Sequence, residues 1–325
     1  MITRFKFSAP PLRTPRLGGE CICGSIHPRD AEAAESTQKK AEPRTLSRLS
    51  LAIILLVYCH AIAVGGQSPQ LVDVGGYHLD VVRAGSGTPP VILVAGLGNP
   101  LDSWAQIVPS AAEFSTIVAY SRSGLGRSEP GPSHHTAKDS VLELHALLAK
   151  LNLKPPYVLV GASYGGILVR LYTSMYPAEV AGLVLVDASH EQQVERYGKL
   201  DPKYPAQFRA SFEEKLRKDK GAEADEDRES MRIQDAGAVE GLKPLPDIPI
   251  AVLTSMKLDP SPQFVNQTAQ GHDVWRAMHE EWFRRSRNGL HIVTARSGHH
   301  IQDDEPQLVI EAIRFVLDHV RTSGQ

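Results

Sequence analysis

The chain has 325 residues, 42% of them hydrophobic, with 35 Lys and Arg against 37 Asp and Glu for a formal net charge of −2. That apolar content can build a large core and excludes a wholly disordered chain, and the balanced charge excludes a nucleic-acid footprint and a polybasic membrane surface. Cys21, Cys23 and Cys59 all lie near the start, so the body of the chain has no disulfide, thiolate nucleophile or cysteine metal site.

Residues 1–68 read as a leader. Residues 1–19 are rich in Arg and Pro without an acid, and residues 31–47 are polar without an apolar period. An apolar segment then runs over about 49–64, preceded by Arg44 and Arg48 and closing on Ala61-Ile62-Ala63. A basic flank, a short apolar core and small residues at its end are the parts of a secretory signal peptide. A spanning helix needs about 20 apolar residues, so a cleaved signal and an uncleaved transmembrane anchor both stay open, as does the true start site. The expected placement is exported (periplasmic or secreted) or membrane-anchored, with any membrane association made through this segment. Cytoplasmic or organellar placement also stays open, because the opening stretch is basic and free of acids.

From residue 69 to 325 the pattern is that of one domain. Residues 71–74 and 77–82 flank Gly75-Gly76 and read as a β-hairpin. Short apolar runs follow at 91–95, 116–119, 157–160, 183–186, 250–253 and 290–293. Uninterrupted runs rich in Val, Ile and Leu suit strands buried on both faces of a parallel sheet. Helical periods lie between them at 136–151 (Val141, Leu144, Leu148 and Leu151, with Thr136 as cap), at 165–176, and at 306–320 behind a proline. The alternation predicts an α/β class domain with a doubly wound, mostly parallel sheet. Residues 190–247 break it: they are long, charged and helix-prone, most of all over 208–220. An ordinary crossover is far shorter, so this stretch is expected to be a helical insertion above the sheet, a lid.

The run at 157–160 leads straight into Gly161-Ala162-Ser163-Tyr164-Gly165, and a helical pattern follows at once. This is GxSxG in the strand-turn-helix setting that exposes a serine nucleophile at the carboxyl edge of a sheet. A serine hydroxyl needs a base, and His299, after the last strand run and Gly298, is placed at the same edge, with His300 the lesser alternative. The base needs an acid to fix its tautomer. Asp187, directly after 183–186, and Asp259, after 250–253 and a loop, both fall between Ser163 and His299 in chain order. For the oxyanion hole the expected backbone donors are Tyr164, next after the nucleophile, and Leu97, in the Gly96-Leu97-Gly98-Asn99 loop. Trp104, Tyr164, Trp275 and Trp282 are candidates for an acyl pocket, though aromatics at helical spacing are more often core. His190-Glu191 has no second histidine to complete H-E-x-x-H, so no metal and no cofactor are expected.

Taken jointly, Gly96-Leu97-Gly98, the run Arg122-Ser123-Gly124-Leu125-Gly126-Arg127-Ser128, the Ser163 turn and Ser297-Gly298-His299 resemble the α/β-hydrolase superfamily, as a serine esterase-like member. Residues 157–193 are similar to an esterase-like group in which an acid follows the sixth strand, which favours Asp187. Ala95 stands where the family often has His, and Ser121 where many members have Asp. The resemblance implies a hydrolase of the EC 3.1 kind that cleaves a small-molecule carboxylic ester, thioester or lactone through an acyl-serine intermediate. Acyltransferase, lyase or perhydrolase chemistry on the same fold is the alternative, with a non-catalytic binding module behind it.

Overall fold

The computed structural model describes residues 69–132 and 136–323. The leader expected over 1–68 and its apolar segment at about 49–64 lie outside the described residues. Among the described residues no helix is long and apolar enough to cross a membrane.

Two strands, β1 (Gln70–Asp73) and β2 (His78–Ala84), form the expected antiparallel hairpin. Gly75 and Gly76 turn it at φ of 119° and 107°, values that glycine adopts at no steric cost. The other strands are β3 (Val91–Val94), β4 (Ile117–Tyr120), β5 (Tyr157–Ala162), β6 (Val180–Val186), β7 (Ile250–Ser255) and β8 (Gly289–Thr294). They assemble in the order β1-β2-β4-β3-β5-β6-β7-β8. The β2–β4 pairing is antiparallel and all pairings from β4 through β8 are parallel. The chain moves outward from β3 to β4 and then returns to place β5 on the other side of β3. That reversal is the switch point of a doubly wound sheet, where the strand ends open a crevice.

Period-2 alternation sends the strand residues to two separate cores. Ile92, Val94, Leu159, Leu183 and Val252 face one side with α2 (Ala137–Lys150) and α3 (Tyr164–Met175). Leu93, Val160, Val184, Val186 and Leu253 face the other with the short α1 (Val108–Ala111) and the final helix, α9 (Pro306–Ser323). Val141, Leu144 and Leu148 of α2, and Val309, Ile313 and Val316 of α9, are buried as their spacing predicts.

Between β6 and β7 lie α4 (Gln193–Leu200), α5 (Tyr204–Lys218) and α6 (Ala222–Ala236). The stretch expected to be most helical, 208–220, is thus part of a longer three-helix insertion. A further helix, α7 (Ala269–Phe283), crosses from β7 to β8 and was not expected. Its Trp275, Met278 and Trp282 follow the period of a buried face, and Thr268 caps it by accepting the Gly271 N–H. A four-residue helix, α8 (Ile301–Asp304), precedes α9.

Thr136 caps α2 in a reciprocal capping box with Asp139, as its position predicts. Glu229 of α6 accepts the Ala137 N–H at 3.0 Å, so the insertion also holds the start of this helix. Thr136→Ala is expected to lower stability by about 1 kcal/mol and the thermal midpoint by roughly 2–4 °C. A calorimetric scan checks this, and an unchanged midpoint contradicts the cap.

Candidate active site

The crevice at the switch point holds Ser163. It joins β5 to α3 with φ 50° and ψ −120°, a backbone conformation that costs a non-glycine residue of order 1–3 kcal/mol. The surrounding packing imposes it. A Cβ on Gly161 would lie 2.5 Å from the Gly165 carbonyl oxygen, and one on Gly165 only 2.2 Å from that of Val94. With those two positions bare, helix and strand approach closely enough to force the turn. Its ends are fixed: Ser163 N–H donates to Val186 O at 3.1 Å, and Ser163 O accepts from Gly166 and Ser189, each at 2.9 Å.

His299 arrives on the loop between β8 and α8, with Nε2 2.9 Å from Ser163 Oγ. Its Nδ1 is 2.7 Å from Asp187 Oδ2. Asp187 follows β6 at φ 40° and is 3% exposed. Its other oxygen, Oδ1, accepts Trp275 Nε1–H at 2.7 Å and Ser255 N–H at 2.9 Å. Burial alone would raise the Asp187 pKa. The hydrogen bond and charge of His299, with smaller contributions from His279 and Trp275, outweigh it and hold the carboxyl below its ordinary 3.8. For His299, desolvation pulls the imidazole down, but the hydrogen bond and charge of Asp187 prevail and raise it above its ordinary 6.5.

Of the two candidate acids, Asp187 is the one hydrogen-bonded to His299, while Asp259 lines the same cavity from another loop. Asp259 is exposed on the loop after β7, where Oδ1 accepts the Ser261 N–H. His299, not His300, is the histidine on Ser163 Oγ; His300 Nδ1 lies 4.0 Å from Asp303 Oδ2 and 3.4 Å from Gln302 Nε2.

Leu97 and Tyr164 both line the cavity around Ser163. Tyr164 opens α3, so its N–H belongs to the unpaired first turn of a helix, where developing negative charge is favoured. In the β3 loop, the Gly98 N–H is occupied by Glu226 Oε2 at 2.7 Å and that of Asn99 by Gly96 O at 3.2 Å. Gly96 sits against Ser163, since a Cβ there would be 3.3 Å from Ser163 Cβ. The loop is gripped from behind by Arg122, whose Nη1 donates to Ala95 O at 2.8 Å and Nη2 to Gly96 O at 2.7 Å. Ser121 accepts the Leu101 N–H at 3.0 Å.

The cavity over Ser163 has a volume of about 750 Å³. One wall is aromatic: Tyr197, Tyr204, Phe208 and Phe212 from the insertion, with Trp275 from α7. Trp104 and Trp282, the other pocket candidates, are buried in the two sheet-face cores. Trp282 packs against Arg170, 4.4 Å from its ring centre, and against His190 and His279, stacked at 5.3 and 5.1 Å. His190 is a packing residue whose pKa burial pushes down to about 4. Among the described residues no cluster of His, Cys, Asp and Glu could hold a metal ion.

Trp275, Ser255, Arg122 and Glu226 were not anticipated in these positions. Arg122 stood out only as part of its glycine-rich run. Recognising α7 from its Thr268 cap would have placed Trp275 near the carboxyl edge of β7.

Residues 89–224 match a family model described as alpha/beta hydrolase fold. The chain is 24% identical over 231 residues to the uncharacterized protein YqjL of Bacillus subtilis, covering 71% of this chain and 84% of that protein. It is 28% identical over 287 residues to esterase Rv0045c of Mycobacterium tuberculosis, covering 78% of this chain and 91% of that one. Among solved structures it resembles a thermophilic esterase from Thermogutta terrifontis, with a TM-score of 0.56 and 20% identity over 78% of this chain and 99% of that one. An enol-lactonase from Burkholderia xenovorans gives a TM-score of 0.53 and 15% identity over 77% of this chain and all (100%) of that one. At such identities these structures speak to the fold.

The His299 imidazole, followed by NMR titration, is expected to titrate above 6.5. Asp187→Asn should bring it below that value, because desolvation then acts without the carboxylate, and Asp259→Asn should leave it in place. A shift caused by Asp259→Asn and not by Asp187→Asn contradicts this assignment.

Proposed function

The chain belongs to the α/β-hydrolase superfamily, and from that premise we propose that it is a serine hydrolase cleaving a carboxylic ester, thioester or lactone through an acyl-Ser163 intermediate. The observation that carries this reading is the unbroken hydrogen-bond chain Ser163–His299–Asp187, at 2.9 and 2.7 Å. Nucleophile, base and charge-balancing acid stand in the order that acyl transfer requires. The likeness to a named esterase over most of both chains supports the same chemistry.

In the acylation step Ser163 Oγ attacks the carbonyl carbon while its proton passes to His299 Nε2. The buried Asp187 carboxylate stabilises the imidazolium that forms. The carbonyl oxygen becomes an alkoxide, received by the N–H groups of Leu97 and Tyr164. Such a donor contributes about 2.7–4 kcal/mol. Collapse expels the alkoxy group, which takes the proton from His299. Water then repeats the sequence on the acyl-serine, giving the acid and free enzyme. Nucleophile, proton carrier and oxyanion donors all come from the chain itself, so the proposed steps call on no cofactor.

The cavity indicates the size of substrate. Some 750 Å³ with an aromatic wall is the space of a drug-sized ligand and far more than an acetyl group fills. We assign the insertion's aromatics to the apolar, ring-bearing part of the ester, with the insertion acting as a lid over the scissile bond.

Ser163→Ala is expected to lower turnover roughly 10⁶-fold. For the unaltered protein, kcat/KM should rise with pH through an acid limb above 6.5, because the base acts as neutral imidazole. Across nitrophenyl esters, 4-phenylbutyrate should exceed acetate in kcat/KM by roughly tenfold or more, given about 0.8 kcal/mol per buried methylene. Full turnover by Ser163→Ala contradicts the mechanism, and a preference for acetate contradicts the pocket assignment. Transfer of the acyl group to an added alcohol in place of water would point to acyltransferase chemistry.

A further inference from the structure

The oxyanion loop is held by a charge that comes from the insertion. Arg122, which follows β4, is 2% exposed, and Glu226, on α6, is 3% exposed. The guanidinium pairs with the carboxylate through both Nε and Nη2, the latter at 2.8 Å. Its remaining donors hold the carbonyls of Ala95 and Gly96. The same Glu226 Oε2 accepts the Gly98 N–H at 2.7 Å. One ion pair therefore grips the loop on both sides of Leu97, through the carbonyls before it and the amide after it. A buried guanidinium cannot shed its charge, and carbonyl dipoles alone do not neutralise it, so Arg122 keeps this position only with an anion beside it.

We propose that Arg122 and Glu226 are positioning residues for the oxyanion loop, and that the inserted helix α6, by carrying Glu226, must be docked for the Leu97 amide to face Ser163. The inference rests on the serine-hydrolase reading for its catalytic consequence, but not for the clamp itself. One further contact ties α6 to the same place, and another ties Arg122 to the neighbouring helix start. A Cβ on Gly124, two residues after Arg122, would lie 2.7 Å from Ala222 Cβ at the start of α6. The Arg122 guanidinium also lies 5.9 Å from the ring centre of Tyr164, the residue assigned the second oxyanion donor. The insertion is thereby more than a wall of the substrate cavity: undocking it withdraws the counter-charge on which the loop geometry depends.

A stability role and a positioning role are separated by replacing both members together. Exchanging a buried ion pair for apolar side chains of similar volume is often neutral for folding, so Arg122→Met with Glu226→Leu keeps the fold while removing the clamp. In this double variant amide hydrogen exchange at Gly98 and Asn99 should accelerate at least tenfold with the rest of the sheet protected. With an ester substrate, kcat should fall roughly 10²–10³-fold, as for loss of one oxyanion donor, while KM stays within a few-fold. Affinity for a boronic acid, which forms a tetrahedral adduct with the serine, should fall in parallel with kcat. If the double variant does not fold, Glu226→Gln, which keeps an acceptor for Gly98 but removes the charge, should show the same changes in smaller degree. Unchanged exchange overturns the clamp whether or not any ester is turned over. Unchanged kcat in a variant whose loop exchanges faster overturns its catalytic consequence, while Ser163→Ala tests the hydrolase reading separately.

Discussion

A serine that must leave a buried strand and enter a helix within one residue has few backbone conformations open to it. At φ 50° and ψ −120° Ser163 occupies an unfavourable one, and the structure around it makes the alternatives worse. Parallel pairing of β5 with both β3 and β6 fixes the strand, and the bare backbones of Gly161 and Gly165 let α3 close onto it. The hydroxyl is left standing at the rim with a helix N-terminus behind it. Every other part of the site is arranged relative to that hydroxyl: the β3 loop beside it, the β6 acid and the His299 loop opposite.

The electrostatics follow from burial. Asp187 is almost wholly removed from water, a position that would neutralise an isolated carboxyl. It is held charged by His299 on one oxygen and by Trp275 and Ser255 on the other. Those donors come from three separate segments after β6, which is why the acid could not be chosen on spacing alone. The same logic governs Arg122 and Glu226, two charges that stay buried because each answers the other and because backbone groups of the loop after β3 occupy the remaining positions.

Much of this was legible in the sequence because the signals are local. The runs at 91–95, 157–160 and 183–186 are strands because residues buried on both faces must all be apolar, and GxSxG carries its serine and both bare glycines within five residues. Thr136 and Pro306 mark helix starts by chemistry confined to one turn. What escaped depends on contacts between distant segments. Asp187 and Asp259 both follow strands in the right order, and only the packing of α7 against β7 shows which carboxylate is enclosed. Trp275 looks like any aromatic on an amphipathic helix until its indole N–H is seen against Asp187. The Glu226 pairing spans more than a hundred positions from Arg122 and has no local signature. Trp104, a plausible pocket residue by type, is buried under the sheet because its short helical turn packs on β4.

The reading as a whole depends on Ser163 forming a covalent bond to the acyl group. The most direct measurement is intact and peptide mass spectrometry after brief exposure to a fluorophosphonate or a slowly released ester, followed by acid quench. The expected result is one adduct per chain, mapped to the peptide containing Ser163 and abolished in Ser163→Ala. An adduct on a different residue, or turnover of ester with no adduct at any reaction time, would contradict it.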